Sequence, residues 1–304
     1  MRRENGFRLI CIVLWLARVD HTGSRTIPRP ETNEIMEDET GIGSVLKAFR
    51  KQLRKEDPEV TPALIEGDIA ASQPILFSLW RLGLRWDIFP TRKWENATIP
   101  YHISHLYNPQ EYEIIMTAIH LLSFGTCLRF VPYDGQADYL LFWPKEPEGC
   151  WSYVGKKGGQ QVVALQRPTL KSKKCFTGPG RAVHEIMHAL GLFHEHARRD
   201  RDEYITVLKD NVIPNFLHNF EKLSLENTTY PYKYDYHSVM HYGPSFFSKG
   251  GKTIKAKKNG VFLGQRVGLS ITDCLKINDL YGCLEKSDFE RKKYETLCAV
   301  LGFT

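Results

Sequence analysis

His184-Glu185-Ile186-Met187-His188-Ala189-Leu190-Gly191-Leu192-Phe193-His194-Glu195-His196 is the stretch from which the rest of the chain can be read. On a helix, His184 and His188 are four residues apart and share a face, so two imidazoles can reach one metal ion. Glu185 lies about 100° further round, outside that plane but within reach of a water on the metal, which suits a general base. Gly191 can adopt the positive φ that ends the helix and turns the chain back, bringing in His194 as a third ligand. Three neutral imidazoles with a fourth position open to water is the pattern of catalytic zinc, whereas structural zinc is closed by four protein ligands. The competing reading is chance spacing of helix histidines. With 11 His in 304 residues, the added glycine and third histidine make that reading a poor one.

His-Glu-x-x-His-x-x-Gly-x-x-His also resembles the metzincin zinc-protease motif, and the continuation Glu195-His196-Ala197-Arg198-Arg199-Asp200-Arg201-Asp202-Glu203-Tyr204 resembles its astacin branch. Ser238-Val239-Met240-His241-Tyr242-Gly243 is similar to the astacin methionine turn. The resemblance implies an α+β catalytic domain of two subdomains. A twisted, mostly parallel sheet with a backing helix and the zinc helix stands above a cleft, and an irregular C-terminal subdomain lies below. It implies one Zn2+ on His184, His188 and His194, with Glu185 as general base and acid. Met240 would floor the metal, Tyr242 would be a weaker ligand at rest that swings to stabilise the oxyanion, and Glu195 would meet the mature N-terminus. The implied activity is hydrolysis of internal peptide bonds in proteins or peptides. A catalytically silent zinc-binding protein is the alternative, which the intact Glu185 disfavours. A matrix-degrading metzincin is disfavoured by the run to Tyr204.

At the start of the chain, Arg2, Arg3 and Arg8 precede the apolar run Leu9 to Ala17, the pattern of a secretory signal peptide over residues 1–23. The run is shorter than the ~20 apolar residues of a membrane span, and no later stretch comes close. Residues 24–85 form a pro-segment, with prolines and an acidic run before a helical, basic piece from Ser44 to Lys55, and nothing there that could build a core alone. Within it, Ile65-Glu66-Gly67-Asp68 resembles the astacin motif Phe-x-Gly-Asp, with Ile65 in place of the aromatic residue. The resemblance implies that Asp68 occupies the zinc in a latent form, and a carboxylate is a competent zinc ligand. Activation is expected from a trypsin-like cut near Arg81 or Arg85, leaving a catalytic domain of residues 86–304, with an upper subdomain over 86–190 and a lower one over 191–304.

Alternation and periodicity place a strand at Thr98 to Ile103 and a helix from Gln110 to Ser123 carrying Tyr112, Ile115, Ala118, Ile119 and Leu122 at helical spacing. Short strands are expected at Leu128 to Val131, Tyr139 to Phe142, Ser152 to Val154 and Gln161 to Leu165, followed by the zinc helix after Pro179-Gly180. In the family it resembles, an extended substrate adds to an edge strand of this sheet. Of seven cysteines, Cys11 leaves with the signal, and the remaining even set suits an oxidising, extracellular compartment. Sequence alone allows 15 pairings of six. The resemblance implies Cys127 with Cys283 and Cys150 with Cys175. Cys274 and Cys298 fall outside the family pattern and are paired with each other. Asn96 and Asn227 head glycosylation sequons.

A net charge of +6 is modest and no nucleic-acid motif accompanies it, so a nucleic-acid partner is not expected. The densest basic run, Lys249 to Lys258, is ordinarily a solvated loop. By its alignment between Thr253-Ile254 and Gly264-Gln265-Arg266, Lys255 or Lys257 is expected to line the pocket for the side chain just after the cut and to favour acidic residues there. The expected form is a secreted monomer whose partners are its protein or peptide substrates and the activating protease.

Overall fold

The computed structural model describes residues 57–61, 64–70, 89–170, 174–222 and 232–302. All of them lie in one compact unit, Ser44–Thr304, and the other unit, Met1–Gly43, lies wholly outside the described residues. The expected leader, the helical piece from Ser44 to Lys55, Arg81, Arg85 and Asn227 are outside them as well.

The principal sheet has the order β1-β5-β6-β4-β2-β3. Its strands are β1 (Ile69–Ala70), β2 (Thr98–Ile103), β3 (Arg129–Pro132), β4 (Tyr139–Trp143), β5 (Cys150–Tyr153) and β6 (Gln160–Leu165). β2 runs parallel to β3 and β4, and β4 to β6, while β5 is antiparallel to β6. β4 is central and reads Tyr-Leu-Leu-Phe-Trp, apolar on both faces, as a strand covered on both sides requires; Leu140, Leu141 and Phe142 are buried. β1 lies in the stretch expected to be a pro-segment and pairs in parallel with β5, Ile69 opposite Ser152. A two-residue strand that exists only through its partner carries no alternation signal, which is why the sequence does not announce it.

Helix α1 (Pro109–Gly125) backs the sheet. Its start is fixed by a capping box: the Asn108 side chain accepts from the Glu111 N–H at 2.9 Å, and the Glu111 carboxylate accepts from the Asn108 N–H at 2.9 Å. Two otherwise unmatched donors are thereby satisfied, a contribution of about 1 kcal/mol. Ile115, Ala118, Ile119 and Leu122 form its buried face, whereas Tyr112, expected on the same stripe, is exposed. Helix α2 (Pro179–Ala189) is buried from Gly180 to its end. The Trp94 indole N–H donates to the Ala189 carbonyl at 2.8 Å, tying the segment before β2 to the end of this helix.

Below α2 the chain proceeds through short 3-10 turns and one antiparallel ribbon, β7 (Ile205–Val207) with β8 (Ile254–Ala256). This region has its own apolar cluster around Phe216, Phe220, Phe246 and Phe247, into which Val60 also packs. The C-terminal helices α3 (Ile271–Leu280) and α4 (Asp288–Leu301) turn back instead. Ile277, Tyr281, Tyr294 and Cys298 join the core built by the sheet, α1 and α2, so residues beyond Gly191 do not form one separate core. Disulfides join Cys127 to Cys283, Cys150 to Cys175, and Cys274 to Cys298, with Cα separations of 5.6, 5.8 and 5.4 Å. The last of these fastens α4 to α3.

Candidate active site

On α2 the rings of His184 and His188 stand edge to face with centroids 4.8 Å apart, the consequence of four-residue spacing on one face. Gly191 has φ 106°, a region open to glycine but strained for other residues. Its N–H donates to the His188 carbonyl at 2.8 Å and the Leu192 N–H to the Met187 carbonyl at 3.0 Å, closing the helix and sending the chain back. That reversal brings the His194 ring to 4.7 Å from His188 and 5.3 Å from His184.

Each imidazole is oriented through Nδ1. His184 Nδ1 donates to the Val239 carbonyl at 2.8 Å, His188 Nδ1 to the Leu192 carbonyl at 2.8 Å, and His194 Nδ1 to Glu66 Oε2 at 2.6 Å. Nε2 of all three rings is left to face Asp68. His184 and His194 Nε2 lie 3.1 Å from Oδ2, and His188 Nε2 lies 3.6 Å from Oδ1. One donor atom from each of the four residues fits within 4.8 Å, and all four residues are buried. His188 Nε2 and Asp68 Oδ1 have no hydrogen-bond partner among the described residues, a costly state unless a cation engages them.

Electrostatics agree with that reading. Burial pushes His188 down to about 4. At His194 burial is outweighed by the Asp68 and Glu66 carboxylates, which lift it to about 9. His188 is thus held in the neutral form that can ligate a metal, and the two carboxylates favour positive charge beside His194. Three imidazole nitrogens and one carboxylate oxygen are the ligand types and number of tetrahedral zinc.

Glu185 is fully buried beside this cluster, and neither of its oxygens has a hydrogen-bond partner among the described residues. Burial, followed by the negative charges of Asp68 and Glu59, pushes its carboxyl well above the usual range. The Tyr242 ring stands 4.7 Å from that of His194 and 3.6 Å, stacked, from that of His196. Its hydroxyl donates to the Glu66 carbonyl. Met240 is buried in the turn beneath, whose shape is set by Asp273: one carboxylate oxygen accepts from the Ser238 hydroxyl at 2.6 Å, the other from the Val239 N–H at 2.7 Å. Glu195 binds the Lys276 ammonium at 2.6 Å, Arg198 at 3.1 Å and the Asp235 N–H at 2.9 Å. The expected mature N-terminus lies outside the described residues, and in this structure those three groups hold the Glu195 carboxylate.

Lys255 and Lys257 are not brought to the cluster. Both are exposed at the β8 ribbon, where the Lys257 ammonium donates to the Asp202 carbonyl. Arg181, on the first turn of α2, and Arg266 are the cations whose charge acts on Glu185, and the spacing of the motif points to neither. Glu59, fully buried, receives Arg181 Nη1 at 2.7 Å and Arg266 Nε at 2.7 and 2.8 Å on its two oxygens. Asp57 takes a second Arg181 nitrogen at 2.8 Å. Burial alone would raise the Glu59 carboxyl, but the two guanidinium groups hold it far below the carboxylate range. The chain ahead of β2 thus reaches the histidine cluster through Asp68, Arg181 and Arg266 through Glu59, and the sheet edge through the Ser152 N–H, which donates to the Asp68 carbonyl at 2.9 Å. Asn96 is exposed just ahead of β2.

Comparison with known proteins fits this geometry. Residues 87–282 match the family model for astacin, described as a peptidase family. The chain is 39% identical over 237 residues to zinc metalloproteinase nas-4 of Caenorhabditis elegans, covering 75% of this chain and 72% of that protein. It is 37% identical over 256 residues to the astacin-like metalloendopeptidase of Mus musculus, covering 84% of this chain but 55% of that protein. Among solved structures, the hatching-enzyme zinc-protease high choriolytic enzyme 1 of Oryzias latipes aligns with a TM-score of 0.55 at 37% identity, over 63% of this chain and 93% of that one. Among the described residues no helix is long and apolar enough to cross a membrane. The motif, the mixed sheet above a histidine cluster and the extent of the match together place this chain in the astacin family of zinc metalloendopeptidases.

Proposed function

We propose that the chain is a secreted endopeptidase made as a zymogen, with a leader over 1–23, a pro-segment over 24–85 and a monomeric catalytic domain over 86–304. The observation that supports this best is Asp68, whose carboxylate fills the centre of the three-histidine cluster and shares it with no other described carboxylate. A peptide substrate and this segment need the same space, so removal of the segment by a trypsin-like cut near Arg81 or Arg85 opens the site. The β5 edge that β1 occupies is then free to pair with an extended peptide.

His184, His188 and His194 would hold zinc, which when bound would supply Lewis acidity to polarise a carbonyl and lower the pKa of a water toward about 7. Glu185 accepts the proton of the attacking water on its carboxylate and hands it to the departing amine nitrogen. The Tyr242 hydroxyl, freed from the Glu66 carbonyl, donates to the scissile carbonyl oxygen as negative charge grows there. Arg181 and Arg266, freed from Asp57 and Glu59, present two guanidinium groups to acidic side chains of the substrate, the role the sequence assigns to Lys255 or Lys257. Met240 and the turn around it hold the Val239 carbonyl against His184.

The test is to express the full chain, trim it with trypsin and assay a mixed peptide library with and without a zinc chelator, alongside Glu185→Gln. Cleavage that needs trimming, zinc and Glu185 is the expected result. Stoichiometric zinc with no more cleavage by the trimmed wild type than by Glu185→Gln would replace the enzyme with a zinc-binding protein.

A further inference from the structure

The three ligand rings differ in who holds them. His184 and His188 donate to the carbonyls of Val239 and Leu192, both in the catalytic region and both retained after activation. His194 donates to Glu66 Oε2, and Glu66 belongs to the segment that activation removes. A carboxylate on the far nitrogen of a ligand imidazole fixes its tautomer and orientation and makes it a better donor, more strongly than a neutral carbonyl does.

We propose that Glu66 is the positioning residue of the third histidine ligand, and that the pro-segment thereby holds zinc more tightly in the latent protein than in the activated one. The inference rests on the zymogen reading above and adds to the occupancy of the metal by Asp68. Glu66 is built into its place rather than resting there. Its N–H donates to Asn219 Oδ1 at 3.1 Å, its carbonyl accepts from the Tyr242 hydroxyl, and its φ of 47° is one that non-glycine residues adopt rarely. All three of its polar groups are thus engaged, each by a different part of the domain. Gly67 follows with φ 88°, and a Cβ there would stand 2.5 Å from the Glu59 carbonyl oxygen, so the tight passage delivers Glu66 and Asp68 to opposite sides of the His194 ring. One residue therefore orients a ligand ring and, through its carbonyl, detains the tyrosine that acts on the substrate. A single departure undoes both.

The experiment follows transfer of zinc from the full-length zymogen to an excess of a colorimetric chelator, for wild type, Glu66→Ala, Glu66→Gln and Asp68→Asn. Each is measured untrimmed and after trimming. Untrimmed Glu66→Ala should release zinc about 10- to 100-fold faster than wild type although Asp68 is intact. Glu66→Gln, which can still accept from Nδ1 without the charge, should fall between them. After trimming, wild type and Glu66→Ala become the same polypeptide, so equal zinc release and equal peptidase activity show that the variant folded. Equal release from untrimmed wild type and Glu66→Ala overturns the proposal. So does an untrimmed Glu66→Ala that has become active, since Glu66 would then be an anchor of the segment rather than a partner of His194. A wild-type chain with no stoichiometric zinc in either form would overturn the metal site itself, a result separate from these.

Discussion

Replacing Glu59 by alanine removes a carboxylate buried between two guanidinium groups, and the structure indicates how the loss divides. Arg181 keeps a partner, because Asp57 still receives it. Among the described residues Arg266 keeps the carbonyls of His241 at 3.1 Å and Gln265 at 2.8 Å and the Phe246 ring at 5.9 Å, with its side chain 7% exposed, so it becomes a buried charge with no carboxylate hydrogen-bonded to it. Breaking a buried pair in this way costs about 3–5 kcal/mol, and the remaining carbonyls argue for the lower end. At 1.4 kcal/mol per tenfold, about 3 kcal/mol is roughly a hundredfold loss in affinity. The assay is inhibition of the trimmed enzyme by a synthetic peptide of residues 57–70, with and without Glu59→Ala. The inhibition constant should rise about a hundredfold. Because the arginines hold the Glu59 carboxyl far below its ordinary value against the effect of burial, its contribution is complete above the ordinary value of about 4.3 and fades only as pH falls below it toward the depressed one. The Glu59 carboxylate is therefore fully ionised from pH 5 to 8, and the ratio of the two constants should stay large throughout that range. A ratio under about threefold would refute the clasp as an energetic anchor.

Glu185→Gln should lower peptide hydrolysis by about two to four orders of magnitude while zinc stoichiometry, measured by metal analysis, stays at the wild-type value. Arg266→Met should reduce the preference of the trimmed enzyme for acidic over neutral peptides about tenfold, with Lys257→Ala leaving it unchanged; competition between paired peptides measures both. Opening the Cys274–Cys298 bridge by a double serine substitution should cost about 3 kcal/mol and lower the melting temperature by several degrees, with kcat/KM retained because α4 packs chiefly on α1 and α3. A melting temperature within one degree of wild type would show that packing alone holds α4.

The parts of the site legible in the sequence are those that local geometry encodes. Four residues between histidines place two rings on one helical face, and a glycine three residues later reverses the chain; both are properties of a short peptide in a helix, so the letters suffice. The same holds for α1, whose expected span of Gln110 to Ser123 is extended slightly at both ends by the Asn108 cap and the run to Gly125. It holds for β2 and β4, whose apolar patterns report their burial directly. α4 is less legible because only Tyr294 and Cys298 are buried along it, which is too sparse a stripe to set a period.

Pairings that join distant parts of the chain are decided by tertiary structure alone. Glu59 meets Arg181 across 122 residues and Arg266 across 207, and Glu66 meets His194 across 128. No periodicity relates such positions, so Arg181 reads in the sequence as one more polar residue of a helix and Lys257 as the more obvious cation of the cleft. Only the path through the fold of the chain ahead of β2, fixed by β1 on the edge of β5 and by Val60 in the lower cluster, brings two of its carboxylates to the arginines and two to the histidines. The sequence determined that a metal would be bound and by which rings. The fold determined what holds those rings, and what covers them, because hydrogen bonds and ion pairs depend on distance in space and the order of residues along a chain carries none.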